Sequence, residues 1–200
     1  HYNLGLIYDN QGKLDQAIAK YQKTLEIDPN FAYAHLGLGN VYGNQGKLDQ
    51  AISQFKKTLE IDPNFAIAHN NLGLIYSNQG KLDQAIAQFK KAIQIDPNNA
   101  SFQSLLGYVY DKQGKLDQAI AQFKKALQIE PDIASYIGLG SAYSNQGNLE
   151  QAIAQYKKVL EIDPNNADAQ YLLGNVYSNQ GKLDQAITQY QKVVQIHPNI

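Results

Sequence analysis

The 200-residue sequence contains no cysteine, methionine or tryptophan. The lack of cysteine excludes a disulfide framework, a thiolate nucleophile and any cysteine-ligated metal site. It also fits a reducing compartment, and we expect the protein to be cytoplasmic. Neither sign of charge dominates: 17 basic and 18 acidic residues give a net charge of −1. Because the two signs are interleaved, no basic block predicts binding to nucleic acid or to an anionic membrane surface.

Long apolar runs are also absent, since none approaches the roughly 18 residues that a membrane-spanning helix needs. Nothing resembles a signal peptide. The sequence lacks an initiator methionine as well, and it starts within a pattern that recurs later, at His1 and Tyr2. We therefore expect it to be a fragment of a longer protein.

The sequence is dominated by an internal repeat, which must be identified before any other feature is interpreted. The segment NQGKLDQAI occurs at Asn10, Asn44, Asn78 and Asn179, with close variants at Lys112 and Asn145. The prolines follow the same period, with intervals of 34, 34, 34, 33 and 34 residues. The six prolines are Pro29, Pro63, Pro97, Pro131, Pro164 and Pro198.

Each repeat has the pattern of two helices. In the second repeat, residues 33–44 and 48–61 carry apolar or small residues every three to four positions, which is the helical period. Gly46 separates the two segments and can adopt the left-handed conformation that ends a helix. Pro63 then closes the repeat, because proline cannot continue a helix but can begin the next one.

These repeats resemble the tetratricopeptide repeat in period, in the Leu-Gly and Tyr of the first helix, and in the later Gly, Ala, Phe/Tyr and Pro. In the second repeat the matching residues include Leu38, Gly39, Tyr42, Ala51 and Phe55. The resemblance implies an all-α fold, a right-handed α-solenoid of six helix–turn–helix units with twelve antiparallel helices. It implies one array over residues 1–200, divided into 1–31, 32–65, 66–99, 100–132, 133–166 and 167–200.

Repeats of this family serve as protein-binding scaffolds, so the resemblance implies a protein or peptide partner. We find no arrangement of catalytic groups or phosphate-binding loop, and we predict that these residues form no enzyme and hold no cofactor. Two alternatives stay open. The array is a self-assembly module that associates through its C-terminal helix, from Leu183 to Ile196, or it is a substrate-presenting arm of a larger enzyme.

Comparing the six repeats with one another separates scaffold positions from free ones. On the first helix, Leu38, Gly39 and Tyr42 recur, whereas the positions of Leu36 and Asn40 vary. Leu36 and Leu38 lie about 200° apart around the helix, so the variable residues occupy the opposite face. Stacked solenoid repeats align such faces into a concave groove. The predicted binding residues are Tyr33, Leu36, Asn40, Asn44, Ile67, Asn70, Leu74, Asn78, Ser104, Tyr108, Tyr171 and Asn175.

The chemistry of this face favours a largely neutral peptide with apolar anchors, because Asn amides suit a peptide backbone and Tyr suits an anchor. Charge comes only from Asp9, Asp111, Lys112 and Asp168. The acidic tails of chaperones, which some relatives capture with a basic clamp, are therefore disfavoured. The Asn residues before each turn have two interpretations, since Asn also terminates helices.

Two further features need an interpretation. Histidine recurs at His1, His35 and His69, but helices of adjacent repeats pack about 8–10 Å apart, whereas zinc ligands lie about 2 Å from the metal. We interpret this column as packing and predict no metal site. The 33-residue interval removes one residue at the entry to the fifth repeat, and we expect a local change of stacking angle there.

Overall fold

The computed structural model describes residues 1–196, which form twelve α-helices and no β-strand. The predicted all-α fold of six helical hairpins is confirmed. Pro198 and the rest of residues 197–200, which end the sixth predicted repeat, lie outside the described residues. The first six helices are α1 (Tyr2–Asn10), α2 (Leu14–Ile27), α3 (Ala32–Asn44), α4 (Leu48–Ile61), α5 (Ala66–Asn78) and α6 (Leu82–Ile95). The second six are α7 (Ala100–Lys112), α8 (Leu116–Ile129), α9 (Ile133–Asn145), α10 (Leu149–Ile162), α11 (Ala167–Asn179) and α12 (Leu183–Ile196).

The helices fall into two compact units. Unit 1 is His1–Pro97 and holds α1 to α6; unit 2 begins at Asn98 and holds α7 to α12. Within each unit the two helices of a hairpin pack against each other, and the second helix also packs against the first helix of the next hairpin. That a single array runs over the whole chain stays a prediction. None of the described helices is long and apolar enough to cross a lipid bilayer.

The turn inside each hairpin is built around a glycine. Gly46 has φ +74°, a conformation that costs glycine little and other residues much. The Lys47 N–H donates to the Tyr42 carbonyl at 2.9 Å, and the Gly46 N–H donates to the Gly43 carbonyl at 3.0 Å. These bonds close the end of α3 in the manner of a Schellman motif. The turn predicted from the sequence is therefore present.

The core of a hairpin places a glycine against an aromatic ring. Phe55 on α4 is 2% exposed, and a Cβ added to Gly39 on α3 would lie 2.4 Å from its ring. Tyr21 is fully buried between two glycines, because a Cβ on Gly5 or on Gly37 would lie 2.5 or 2.7 Å from its ring. Side chains at these positions would overpack the core, which explains the recurrence of glycine.

The link between successive hairpins differs at the fifth repeat. After α2, the Phe31 N–H donates to the Asp28 carbonyl at 3.2 Å, forming a turn around Pro29. The segment before α9 is one residue shorter, and α9 starts directly after Asp132. Asp132 accepts a hydrogen bond from the Ser135 N–H at 2.9 Å. The short entry is thus capped by its own side chain, while the predicted change of stacking angle stays a prediction.

Candidate functional site

A groove of about 600 Å³ opens on the first helices of unit 1. Its walls come mainly from the C-terminal halves of α1, α3 and α5, because these helices present equivalent faces side by side. Among the described residues that line it, only Asp9 is charged. The lining residues are Asp9, Asn10, Gly39, Asn40, Gly43, Asn44, Leu48, Phe55, Asn71, Leu74, Ile75 and Asn78.

Four of the predicted binding residues line this groove: Asn40, Asn44, Leu74 and Asn78. Asn44 and Asn78 are exposed, and their side chains make no hydrogen bond to any residue within 1–196. The helix ends beside them are closed by backbone bonds at the following glycine rather than by the Asn side chains. Of the two interpretations of these residues, the geometry favours free amides on the groove wall.

Asn71 also lines the groove, and sequence comparison did not find it. Its amide nitrogen donates to Asn40 Oδ1 at 2.8 Å, so α3 and α5 are linked across the groove. Asn70 Nδ2 in turn donates to Asn71 Oδ1 at 3.2 Å. The equivalent residue of the second repeat is Gly37, a packing residue, and the position therefore resembled part of the scaffold. The predicted residue Asn70 supports the groove wall without lining it.

The surroundings of Asp9 in this groove disfavour the charged form of its carboxyl group. Partial burial raises the pKa of its carboxyl group above the ordinary value, because desolvation disfavours the charged form. It lies in the last turn of α1, where the partial negative charge of the helix end also disfavours an anion. No hydrogen bond or ion pair to its side chain occurs in the described chain.

An aromatic row runs beside the groove, at the N-terminal ends of the same helices. We give this name to Tyr2, Phe31, Tyr33 and Phe65. The ring centroids of Tyr2 and Phe31 are 5.1 Å apart, those of Phe31 and Tyr33 6.0 Å, and those of Tyr33 and Phe65 5.0 Å. Tyr33, a predicted binding residue, is 54% exposed. The row is therefore a continuous, partly exposed apolar surface.

The two remaining predicted residues of unit 1 differ in exposure. Ile67 is 50% exposed and lies two residues after Phe65, at the start of α5. Leu36 is half-buried and lies on α3 between Tyr33 of the aromatic row and Asn40 of the groove. Unit 1 thus places all of its predicted residues on one face of the first helices, although only four line the groove.

In unit 2 the prediction that Ser104 lines an open face is wrong. Ser104 is 7% exposed, and its hydroxyl oxygen lies 2.5 Å from that of Ser135 on α9. The Ser135 hydroxyl also donates to Asp132. Ser104 is buried because the short entry to α9 brings this serine and aspartate against α7, where a small polar residue fits.

Tyr108 has a structural role that the sequence did not reveal. Its hydroxyl donates to the Ala134 carbonyl at 2.6 Å, and its ring packs edge-on against Phe123 at 4.9 Å. Burial, followed by the nearby charges of Asp132 and Asp111, raises the pKa of Tyr108 to about 12. Tyr108 therefore links α7 to α9 and is not a free binding residue.

The other predicted residues of unit 2 are Tyr171 and Asn175 on α11. Tyr171 is 52% exposed, with its ring 6.0 Å from that of Tyr190. Asn175 accepts a hydrogen bond from the Tyr190 hydroxyl at 2.7 Å. Of the four predicted residues of unit 2, at positions 104, 108, 171 and 175, only Tyr171 keeps a largely exposed side chain.

Two histidines of the predicted packing column, His35 and His69, are buried packing residues, whereas His1 at the equivalent position of the first repeat is exposed. His35 is 7% exposed, and its ring nitrogens lie 2.7 Å from Gln54 Oε1 and 3.0 Å from the Pro29 carbonyl oxygen. In unit 2, Gln170 occupies the equivalent position and donates to the Pro164 carbonyl at 3.3 Å. A glutamine can thus replace the imidazole, since both side chains hold the preceding turn.

Comparison with known families gives matches along most of the chain. A model described as "TPR repeat" matches residues 5–46, 44–80, 75–114 and 140–181. A model described as "Tetratricopeptide repeat" matches residues 100–133 and 167–200. A search of curated proteins finds no match.

Several solved structures share the fold. YrrB, described as a TPR protein with an unusual peptide-binding site, is 26% identical with a TM-score of 0.74, covering 90% of this chain and 93% of its own. MamA is 27% identical with a TM-score of 0.75, covering 80% of this chain and 95% of its own. PilF of Pseudomonas aeruginosa is 24% identical with a TM-score of 0.85, covering 100% of this chain and 91% of its own. At that identity, PilF supports the fold alone.

Proposed function

The chain belongs to the tetratricopeptide repeat family, and we propose that it is a scaffold that binds a largely neutral peptide segment through unit 1. The groove supplies Asn amides for the backbone of the segment, and the aromatic row supplies the surface for its apolar side chains. The observation that carries the proposal is the pair of unbonded, exposed amides of Asn44 and Asn78 on a groove with a single charge.

Chemically, the groove suits a peptide backbone. An Asn side chain donates and accepts at once, so Asn44 and Asn78 can each pair with the N–H and C=O groups of an extended chain. The two residues are related by one repeat and lie on adjacent first helices. A segment that crosses α3 and α5 can form hydrogen bonds with both amides. Because the groove carries so little charge, charged side chains on the segment find few partners for ion pairs.

The aromatic row adds an apolar anchor at a fixed distance from the Asn side chains of the groove. Tyr33 precedes Asn44 by eleven residues on α3, which is about three helical turns or about 16 Å. An extended segment of about six residues covers that distance. The same short peptide can therefore place an apolar side chain against Tyr33 and its backbone against the Asn side chains. Exposed aromatic residues of this kind are frequent energetic centres of interfaces.

The relatives are consistent with this proposal, because YrrB is described as having a peptide-binding site. Two alternatives, self-assembly and a substrate-presenting arm, stay predictions. The exposed Leu183, Ile187 and Val194 of α12 are the residues through which self-assembly would act. Dilution-dependent mass measured by light scattering tests that alternative: a monomer at every concentration contradicts it.

The proposal is tested by selecting binders of the full 200-residue chain from a random peptide library displayed on phage. Synthetic, fluorescein-labelled copies of the selected peptides are then titrated by fluorescence anisotropy. We expect Tyr33→Ala and Leu74→Ala each to weaken binding about ten-fold, the size typical of a truncated interface anchor.

The matched control is Ile162→Ala, which truncates an apolar side chain of similar exposure, 53%, on the second helix α10. We expect it to leave affinity unchanged. Failure to select any binder, or an equal loss for Ile162→Ala and Tyr33→Ala, contradicts the proposal.

A further inference from the structure

Two glycines of α3 line the groove, and packing accounts for only one of them. Gly39 recurs at the equivalent position of every repeat, and a Cβ on it would lie 2.4 Å from the ring of Phe55. A Cβ added to Gly43 would meet nothing within 4 Å beyond its own stretch of helix. The other repeats carry Asp or Ser at the position of Gly43, namely Asp9, Ser77, Asp111, Ser144 and Ser178. Gly43 is therefore neither required by the packing nor a recurring feature of the repeat.

The turn after α3 does not require a glycine at this position either. Gly43 lies within the helix, and the residue of the turn with positive φ is Gly46. The Gly46 N–H donates to the Gly43 carbonyl at 3.0 Å, and in the next repeat the Gly80 N–H donates to the Ser77 carbonyl at 3.1 Å. The same turn thus forms with serine. Because glycine within a helix lowers the stability of that helix, Gly43 is unfavourable for the fold and brings no gain in packing.

The missing side chain leaves the groove open across α3. Asp9 and Asn10 of α1 line the groove, and so do Leu74 and Asn78 of α5. Between these walls, α3 presents the half-buried backbone of Gly43. Since the space at its Cβ is empty, any side chain at this position would occupy part of the groove of about 600 Å³.

The walls of the groove favour a large uncharged side chain in that space. Two half-buried leucines, Leu48 of α4 and Leu74 of α5, supply apolar surface. A large apolar side chain that covers them removes this surface from water, which is favourable roughly in proportion to its area. The exposed amides of Asn44 and Asn78 stay available for the peptide backbone. The space therefore suits a side chain such as that of leucine or phenylalanine better than a charged one.

We propose that Gly43 is a specificity-determining residue, and that its missing side chain admits one large apolar side chain of the bound segment between α1 and α5. This inference rests on the proposed function and names one side chain of its partner. The aromatic row receives a different apolar side chain of the same segment. Gly43 thus lowers the stability of α3 and, in return, sets the size of the residue that unit 1 recognises.

The test exchanges volume between the protein and the peptide. Peptides selected on the full 200-residue chain are synthesised with Leu, Phe, Ala or Glu at each position in turn and are titrated by fluorescence anisotropy. At the position that enters the groove, we expect Leu or Phe to bind about ten-fold more tightly than Ala, and Glu to bind no better than Ala.

Gly43→Leu should remove this advantage, because its own side chain fills the space. We expect it to bind the Ala peptide at least as tightly as the unaltered protein does, and the Leu peptide about ten-fold more weakly, as for the loss of one interface anchor. The preference at the position that meets the aromatic row should persist in Gly43→Leu and be lost in Tyr33→Ala.

Two further variants separate this role from stability. Gly43→Ala should raise the midpoint of urea denaturation, as alanine does in place of a helical glycine, and should nevertheless weaken binding of the Leu peptide several-fold. Ser144→Leu places the same side chain at the equivalent position of unit 2 and should leave every affinity unchanged.

The outcomes distinguish this inference from the proposed function. If Gly43→Leu weakens the Leu, Phe and Ala peptides equally, the inference is overturned and the proposed function stands. A preference for size that is unchanged in Gly43→Leu, an equal effect of Ser144→Leu, or a lower urea midpoint for Gly43→Ala overturns it as well. If no peptide is selected, both fail.

Discussion

Units 1 and 2 begin their first helices in different ways. In unit 1, α3 and α5 follow Phe31 and Phe65, whose side chains make no capping hydrogen bond. In unit 2, the residues before α7, α9 and α11 accept hydrogen bonds from N–H groups at the helix start. A capping side chain is worth about 1 kcal/mol. Unit 1 lacks that contribution at two helices and presents aromatic rings there.

The same contrast extends to the tyrosine hydroxyls and the equivalent aspartates. In unit 2, Tyr156, Tyr190 and Asp111 have partners. In unit 1, Tyr21 and Asp9 have no partner in the described part of the chain. Departures from local optimality that bring no gain within the fold are expected at functional sites. Unit 1 collects several such departures, and they support the proposal that binding occurs there.

Removal of the cap before α9 is expected to have the largest effect on the stability difference between the two units. Asp132→Ala removes an acceptor for both the N–H and the hydroxyl of Ser135. We expect the free energy of unfolding to fall by about 2–3 kcal/mol, since a cap and a charge-assisted hydrogen bond are lost together. Urea denaturation followed by circular dichroism measures the change.

Asn166→Ala is the control for this variant, because Asn166 caps α11 by accepting from the Ala169 N–H at 3.0 Å and makes only one further, longer bond, from its Nδ2 to Asp163 Oδ2 at 3.3 Å. It should cost about 1 kcal/mol. Equal losses for the two variants would show that the Ser135 hydroxyl contributes nothing to the free energy of unfolding. The cap before α9 would then be no stronger than the cap before α11.

Asp132 and Ser104 also show where sequence reasoning stops. The period, the hairpins, the turn at Gly46 and the packing of glycine against Phe55 follow from recurrence and helical spacing, because each is repeated. The bond between Ser104 and Ser135 depends on one missing residue in a single repeat. No periodic pattern encodes such a contact, and the position of Ser104 in the repeat therefore wrongly predicts an open face.

The same limit applies to Asn71 on the groove of unit 1 and to Tyr108 in unit 2. Variation between repeats predicts freedom from packing, yet the Tyr108 hydroxyl donates to the Ala134 carbonyl, a contact specific to this repeat. Conversely, Asn71 stands where other repeats carry packing residues. The faces of the first helices could be predicted from the sequence. The partners of individual polar atoms could not, because they depend on side chains of neighbouring repeats.

A smaller effect comes from removing the tyrosine hydroxyls. Tyr190→Phe should lower the free energy of unfolding by about 1 kcal/mol, because Asn175 loses its donor. Tyr21→Phe should not lower it, since the Tyr21 hydroxyl has no partner within residues 1–196. Urea denaturation at neutral pH compares the two variants. A loss for Tyr21→Phe as large as that for Tyr190→Phe contradicts the assignment of Tyr21 as unpartnered.

The stability of Tyr21→Phe at alkaline pH tests the burial of the Tyr21 hydroxyl. The pKa of Tyr21 is raised from 10.0 to about 12 in the folded protein, so the folded state holds the proton to higher pH than the unfolded state. The stability linked to this group is complete below the unfolded pKa and is lost as the pH rises through the folded one. Between these values, Tyr21→Phe should lose less stability than the unaltered protein. Parallel curves would contradict the burial of this hydroxyl.

The smallest expected effect isolates the missing cap of unit 1. Phe65→Ala and Phe65→Asn both remove the ring contact with Tyr33, so the difference between them reports the cap. Asn at this position can accept from an N–H at the start of α5, as Asn166 does for α11. We expect Phe65→Asn to be more stable than Phe65→Ala by up to about 1 kcal/mol, while both bind the selected peptides more weakly. If both variants bind normally, the aromatic row is a packing feature, and the uncapped start of α5 then has no part in binding.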